Sequence, residues 1–219
     1  MIRTKFERDL NKLTVDLNKM CHLVVTAIED CITAFKTQDK ELAKEIIDHD
    51  KIINDCERSI EARCLSLLLS QTPLATDLRN VSSALKVVTD LERIGDQSAD
   101  IAELIISLDG EYTFKMVEHI PSMASVAKRM VKDSIEAFTK GDLELAKATK
   151  KVDDQLDAYF KEVKLELNEI LKETPEKADV CIDFLMIAKY LERIGDHAVN
   201  ICEWVEFNET GNLNNKRLL

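Results

Sequence analysis

The sequence predicts an all-α protein made by tandem duplication of an up-down-up three-helix bundle, six long helices in all. Three observations predict it. Apolar residues recur at intervals of three and four along almost the whole chain. Only five glycines and three prolines interrupt 219 residues. The second half then repeats the layout of the first.

The first helix is expected from about Thr4 to Phe35, where Phe6, Leu10, Leu13, Leu17, Met20, Val24, Ala27, Ile28 and Ile32 form one stripe. It ends near Thr37-Gln38. Asp39 supplies a cap for a second helix that carries Leu42, Ile46, Ile53, Ile60, Cys64 and Leu67 to about Ser70. Thr72 as N-cap and Pro73 at the first helical position open a third, which runs to about Leu108. The segment from Asp109 to Phe114 breaks the period, and after His119-Ile120-Pro121 the same programme restarts. Gly141-Asp142 marks the next turn and Thr174-Pro175 the last. A shift of 103 aligns Met20 with Met123, Ala34-Phe35 with Ala137-Phe138, and Asp39-x-x-Leu42-Ala43-Lys44 with Asp142-x-x-Leu145-Ala146-Lys147. Bundles are therefore expected at 1–108 and 116–208, with 209–219 a disordered tail.

Composition narrows the function. With aromatics at 5%, the core must be built from Leu, Ile, Val, Ala and Met, as helix bundles allow. A net charge of −11 opposes phosphate backbones and anionic lipid, which argues against direct nucleic-acid binding. No apolar run approaches the about 18 residues of a membrane span, and the N-terminus reads as charged and amphipathic, so the chain is expected in the cytosol. Cys21, Cys31, Cys56, Cys64, Cys181 and Cys202 form no Cys-x-x-Cys and read as buried free thiols. His22, His49, His119 and His197 form no Glu-x-x-His, which argues against a ferritin-like di-iron centre.

The densest repeat is Leu-Glu-Arg-Ile-Gly-Asp, at Leu91 to Asp96 and at Leu191 to Asp196, where eight of sixteen surrounding residues are identical at an offset of 100. Glu92 and Asp96, like Glu192 and Asp196, stack one turn apart and repel. At 100° per residue Leu85 and Glu92 lie about 20° apart, so the acids continue the apolar stripe. Carboxylates in core register need a counter-charge. A hard cation is one candidate; Arg93 and Arg193 are another, and a plain solvated face is a third.

Counting back from the hairpins places Glu92 and Asp96 level with about His49 to Ile53, and that stretch level with about Ala27 to Asp30. Asp30 and Asp50 wait there, with Asp133 and Asp153 as their counterparts, so each bundle could gather four carboxylates from three helices. Oxygen ligands suit magnesium, manganese, calcium or iron rather than a structural zinc site. Gly95 and Gly195 sit mid-helix at a cost of about 1 kcal/mol, which allows either a close helix crossing or the approach of an ion.

The chain closely resembles the PhoU family, accessory regulators of bacterial phosphate uptake. Gln71-Thr72-Pro73-Leu74-Ala75-Thr76-Asp77-Leu78-Arg79, Ala84-Leu85-Lys86-Val87-Val88 and the two Leu-Glu-Arg-Ile-Gly-Asp segments carry the resemblance. It implies two tandem three-helix bundles, often dimeric, with multinuclear iron or zinc clusters in some members. Carried over, the metal residues are Glu92, Asp96 and Asp100, then Glu192, Asp196 and Asn200. Asn200 departs from the acid ladder and suggests a weaker second site. The resemblance further implies docking on the ATPase subunit of the phosphate transporter and on a sensor histidine kinase, at the inner face of the membrane, to repress uptake and the phosphate-starvation response. No nucleophile and base stand together, so a non-enzymatic protein is expected. The alternatives are a carboxylate-bridged metalloenzyme and a metal-free helical adaptor.

Overall fold

The computed structural model describes residues 2–70, 74–108, 117–213 and 216–217. Among the described residues six α-helices follow one another: α1 (Ile2–Thr37), α2 (Lys40–Ser70), α3 (Ala75–Ser107), α4 (His119–Lys140), α5 (Leu143–Glu173) and α6 (Ala178–Thr210). A 3-10 turn, Pro175–Lys177, leads into α6, because Pro175 suits a first helical turn that needs no N–H from it.

The turns of the two repeats are built alike. Gln38 and Gly141 occupy equivalent places and both take the left-handed conformation, at φ 57° and 66°. The next residue is an aspartate in each case. Asp39 Oδ1 accepts from the N–H groups of Glu41 and Leu42 at 3.1 and 3.0 Å, and Asp142 Oδ1 from those of Glu144 and Leu145 at 3.1 and 2.9 Å. These are N-caps that satisfy otherwise orphaned donors. The third helix is described from Ala75, with the Asp77 carboxylate accepting from the Leu74 N–H at 3.0 Å. The expected cap Thr72, Pro73 and the break from Asp109 to Phe114 lie outside the described residues.

One apolar core runs through both repeats, from Leu13 on α1 to Ile201 on α6. Phe35 and Phe184, both fully buried, meet edge to face at 5.3 Å and tie α1 to α6. α3 and α6 pack on each other as well as on their own hairpin partners. Five cysteines are buried free thiols and Cys56 is half-buried; burial pushes the Cys64 thiol up to about 12. No described helix is long and apolar enough to cross a membrane.

The tail expected to be disordered from residue 209 is partly ordered. α6 continues to Thr210; near its end Phe207 is buried and meets Trp204 of the same helix edge to face at 5.9 Å. Gly211 then adopts φ 73°, which reverses the chain and permits a two-stranded ladder, β1 (Asn212–Leu213) against β2 (Lys216–Arg217).

Candidate metal centre

α3 crosses α2 at Gly95. A β-carbon there would lie 3.0 Å from Ile53 Cγ2 and 3.3 Å from Asp50 Oδ1; at Gly195 it would lie 2.3 Å from Leu156 Cδ2 and 3.3 Å from Asp153 Oδ1. The glycines therefore serve a close crossing, and that crossing draws an aspartate of the neighbouring helix beside each acid motif. The expected level of Asp50 with Asp96 and of Asp30 with His49 holds: Ala27, Asp30, His49, Asp50, Ile53 and Gly95 share one cavity of about 340 Å³.

The first carboxylate cluster joins Glu92 and Asp96 of α3 to Asp50 and Glu57 of α2. Burial raises Asp50, and the charge of Asp96 adds to it. Burial, followed by Glu92, pushes Glu57 up to about 6. Glu92 is raised by burial and then by Asp96, and its side chain is only 16% exposed. The Asp50 carboxylate accepts from Asn54 Nδ2 at 2.8 Å through Oδ2, while its Oδ1, beside Gly95, is sealed from solvent with no hydrogen-bond partner.

The second cluster joins Glu192 and Asp196 of α6 to Asp153 and Asp157 of α5. Burial, then Asp157, lifts Asp153 to about 6; burial, then Glu192, raises Asp196. Asp157 stands where Asn54 stands in the first repeat, so both clusters hold four carboxylates.

Asn200 lies elsewhere. Its Nδ2 donates to Asp90 Oδ1 at 3.2 Å, and His197 Nδ1 meets the same oxygen at 2.8 Å. Across the seam Tyr190 donates to Asp100. Asp90 with His197 and Asn200, against Asp100 with Tyr190, is one antiparallel α3 and α6 contact seen twice. Both ends of the carried-over ladder thus bind the two repeats together. Asp100 still lies near enough for its charge to act on Asp50.

Asp30 shares the cavity of Asp50 but is not brought to Glu92 and Asp96, and Asp133 is not brought to Glu192 and Asp196. Asp30 faces Glu29, Glu45 and His49, and Asp133 faces Arg129, Glu136 and Lys132; burial raises both. Among the described residues no three carboxylate, imidazole or thiol groups converge closely enough to enclose an ion as they stand. The side chains turn instead to internal cations. Arg93 reaches Asp96 at 3.0 Å and Glu92 at 3.5 Å; in the second cluster Lys189, not Arg193, meets Glu192.

Glu57, Asp157, Lys189, Asp90 and His197 were not anticipated. The first two carry a readable signal: Glu57 follows Asp50 by seven residues and Asp157 follows Asp153 by four, the spacings that put residues on one helix face.

A PhoU domain model matches residues 17–105 and again 120–205, one domain per repeat. The chain belongs to the PhoU family. It is 40% identical over 212 residues, 96% of this chain and 97% of the relative, to the phosphate-specific transport system accessory protein PhoU homolog of Clostridium acetobutylicum. PhoU homolog 1 of Thermotoga maritima is 35% identical over 207 residues, 94% of this chain and 89% of the relative. The crystal structure of PhoU from Pseudomonas aeruginosa superposes with a TM-score of 0.89 at 33% identity, covering 94% of this chain and 100% of that one. The phosphate transport system regulatory protein PhoU from Streptococcus pneumoniae gives 0.88 at 31% identity, covering 95% and 98%. These matches establish the all-α fold and its internal repeat for this PhoU-family chain.

The acids of each cluster are oxygen donors, the ligand chemistry of magnesium, manganese or iron, and Asp50 Oδ1 is sealed without a partner, but as they stand these groups enclose no ion.

Proposed function

We propose that this protein is a non-enzymatic negative regulator of high-affinity phosphate uptake and of the phosphate-starvation response. It docks on the ATPase subunit of the phosphate transporter and on the sensor histidine kinase, at the inner face of the membrane and as a homodimer. The observation that carries this reading is 40% identity along 96% of the chain to a protein named as the accessory factor of phosphate-specific transport.

Two surface clusters of four carboxylates support a metal-bearing docking body. Glu92, Asp96, Asp50 and Glu57 hold metal in the first repeat, and Glu192, Asp196, Asp153 and Asp157 in the second. A bound cation supplies positive charge that cancels the repulsion within each cluster and clamps two helices together. The chain's part is to hold those oxygens at a glycine crossing where the helices cannot drift apart.

The test is binding of the purified ATPase subunit and of the kinase's cytoplasmic part to the immobilised protein, with and without chelator. A phosphate-starvation reporter in cells lacking the protein is read alongside. Binding together with restored repression supports the reading. Failure to bind either partner, with a reporter indifferent to the protein, rejects it. Binding unchanged by chelator favours the metal-free adaptor, for which the Arg93 and Lys189 ion pairs already speak.

A further inference from the structure

The two repeats fill the space between their first two helices differently. In the second, Met130 of α4 is fully buried, and its methyl group comes within 3.6 Å of the place a β-carbon on Gly195 would take. Its neighbour Arg129 reaches across to α5, where Nη2 donates to Gln155 Oε1 at 3.4 Å, and its charge works against the burial that raises Asp133. Met130 thus supplies an apolar plug at the glycine crossing, and Arg129 a guanidinium beside the aspartate.

At the offset of 103 the first repeat has Ala27 for Met130, Thr26 for Arg129 and Ile52 for Gln155, while the aspartate is kept as Asp30. Two long side chains are replaced by short ones, and a cavity of about 340 Å³ opens there, lined by Thr26, Ala27, Asp30, Ile52 and Gly95, with Leu23, Ile46 and Ile53 as apolar walls. That volume falls within the about 300–1,000 Å³ of small-ligand sites. The charge is left uncompensated as well. Among the described residues no lysine or arginine pairs with Asp30; its charged neighbours are Glu29, Glu45 and His49, and Glu29 is already met by Lys128 at 2.8 Å. Such a field draws a cation, and the walls draw a carbon chain.

We propose that this cavity binds a guanidinium on an aliphatic stem, with the stem against Ala27 and the apolar walls and the head at Asp30, the places that Met130 and Arg129 take in the second repeat. The chain itself supplies the pattern for the occupant, since its other half closes the equivalent crevice with those two chemistries. The site involves no metal, and it stands whether or not the carboxylate clusters hold one. The occupant is a free small cation or the arginine side chain of a partner protein, and one experiment separates the two.

The experiment is a titration followed by the ring-proton resonances of the four histidines, in chelator so that no metal contributes. His22 and His49 line the cavity, while His119 and His197, which meet Glu166 and Asp90, report on the rest of the molecule. The probes are butylguanidinium, its neutral counterpart butylurea, and a Gly-Arg-Gly peptide blocked at both ends. Butylguanidinium should shift His22 and His49 saturably and leave His119 and His197 in place. It should bind about fivefold tighter than butylurea, the contribution of a unit charge about 4 Å from Asp30 in water-like surroundings. Asp30→Asn should remove that preference. Thr26→Arg with Ala27→Met, which installs the second repeat's own residues, should abolish binding and raise the Tm. The charged and neutral probes are compared on wild type alone, so that arm decides even where a variant fails to fold. Binding of the peptide at least as tight as that of butylguanidinium assigns the site to a partner's arginine, and weaker binding assigns it to a free small cation. Shifts spread over all four histidines, no shift at all, equal binding of butylurea, or binding undiminished in the folded Thr26→Arg, Ala27→Met protein overturns the proposal.

Discussion

Replacing Asp153 with Asn should stabilise the protein at neutral pH while weakening its hold on divalent metal, two effects of opposite sign from one side chain. Burial and the charge of Asp157 lift the Asp153 carboxyl from 3.8 to about 6 in the folded protein, while an unfolded aspartate stays near 3.9. Between about pH 4 and pH 6 the folded state therefore binds more protons than the unfolded one. Stability falls as pH rises through that window, and the loss is complete above it. A shift of about two units has a ceiling of about 3 kcal/mol. Asp153 is half-buried, and solvent screening brings the expected effect to about 1 kcal/mol, or about 2–4 °C in Tm for a chain of this size. Urea unfolding in chelator, run for wild type and Asp153→Asn from about pH 4 to pH 8, measures it. The gap between the proteins should be near zero at the acid end, open through about pH 6 and then stay level. A variant that is no more stable than wild type at about pH 7.5, or a gap that is widest in acid, would refute the reasoning.

Gly195→Ala gains about 1 kcal/mol of helix propensity but drives a β-carbon to 2.3 Å from buried Leu156, an overpacking that costs about 1–3 kcal/mol. Gly95→Ala meets Ile53 only at 3.0 Å, so urea midpoints should place it above Gly195→Ala, and the reverse order would sink the argument. Asp142→Ala should cost about 1 kcal/mol and leave Mn²⁺ binding unchanged, since both accepted bonds are helix caps. Weakened Mn²⁺ binding in that variant would place Asp142 in the site. Asp90→Ala strips the acceptor shared by His197 and Asn200 and should cost about 1–3 kcal/mol. A double-mutant cycle with His197→Ala should show coupling, and strictly additive losses would mean that the seam contact contributes nothing.

Helix extents and the duplication were legible in the sequence because they depend on neighbours in the chain. The stripe from Leu10 to Ile32, the caps Asp39 and Asp142, and the level of Asp50 with Asp96 all follow from a fixed rise, a fixed turn and short connections. Gly95 and Gly195 were readable as anomalies, though their partners Ile53 and Leu156 were not. Glu57 shares a helix face with Asp50, and Asp157 with Asp153, but whether that face meets the motif on the neighbouring helix depends on packing that spacing within α2 or α5 does not contain.

By itself, then, the sequence determined an acidic six-helix chain in two copies, with carboxylates in core register on its third and sixth helices. Only the tertiary structure decided which acids share a cluster. Facing depends on how α3 and α6 rotate against each other and against α2 and α5, and no period within one helix contains that angle. That rotation turned Asp100 and Asn200 into the seam between the repeats and kept Asp30 and Asp133 apart from Glu92, Asp96, Glu192 and Asp196. It also chose Arg93 in one cluster and Lys189 in the other, because a long, exposed cation settles wherever packing leaves the strongest negative field within its reach.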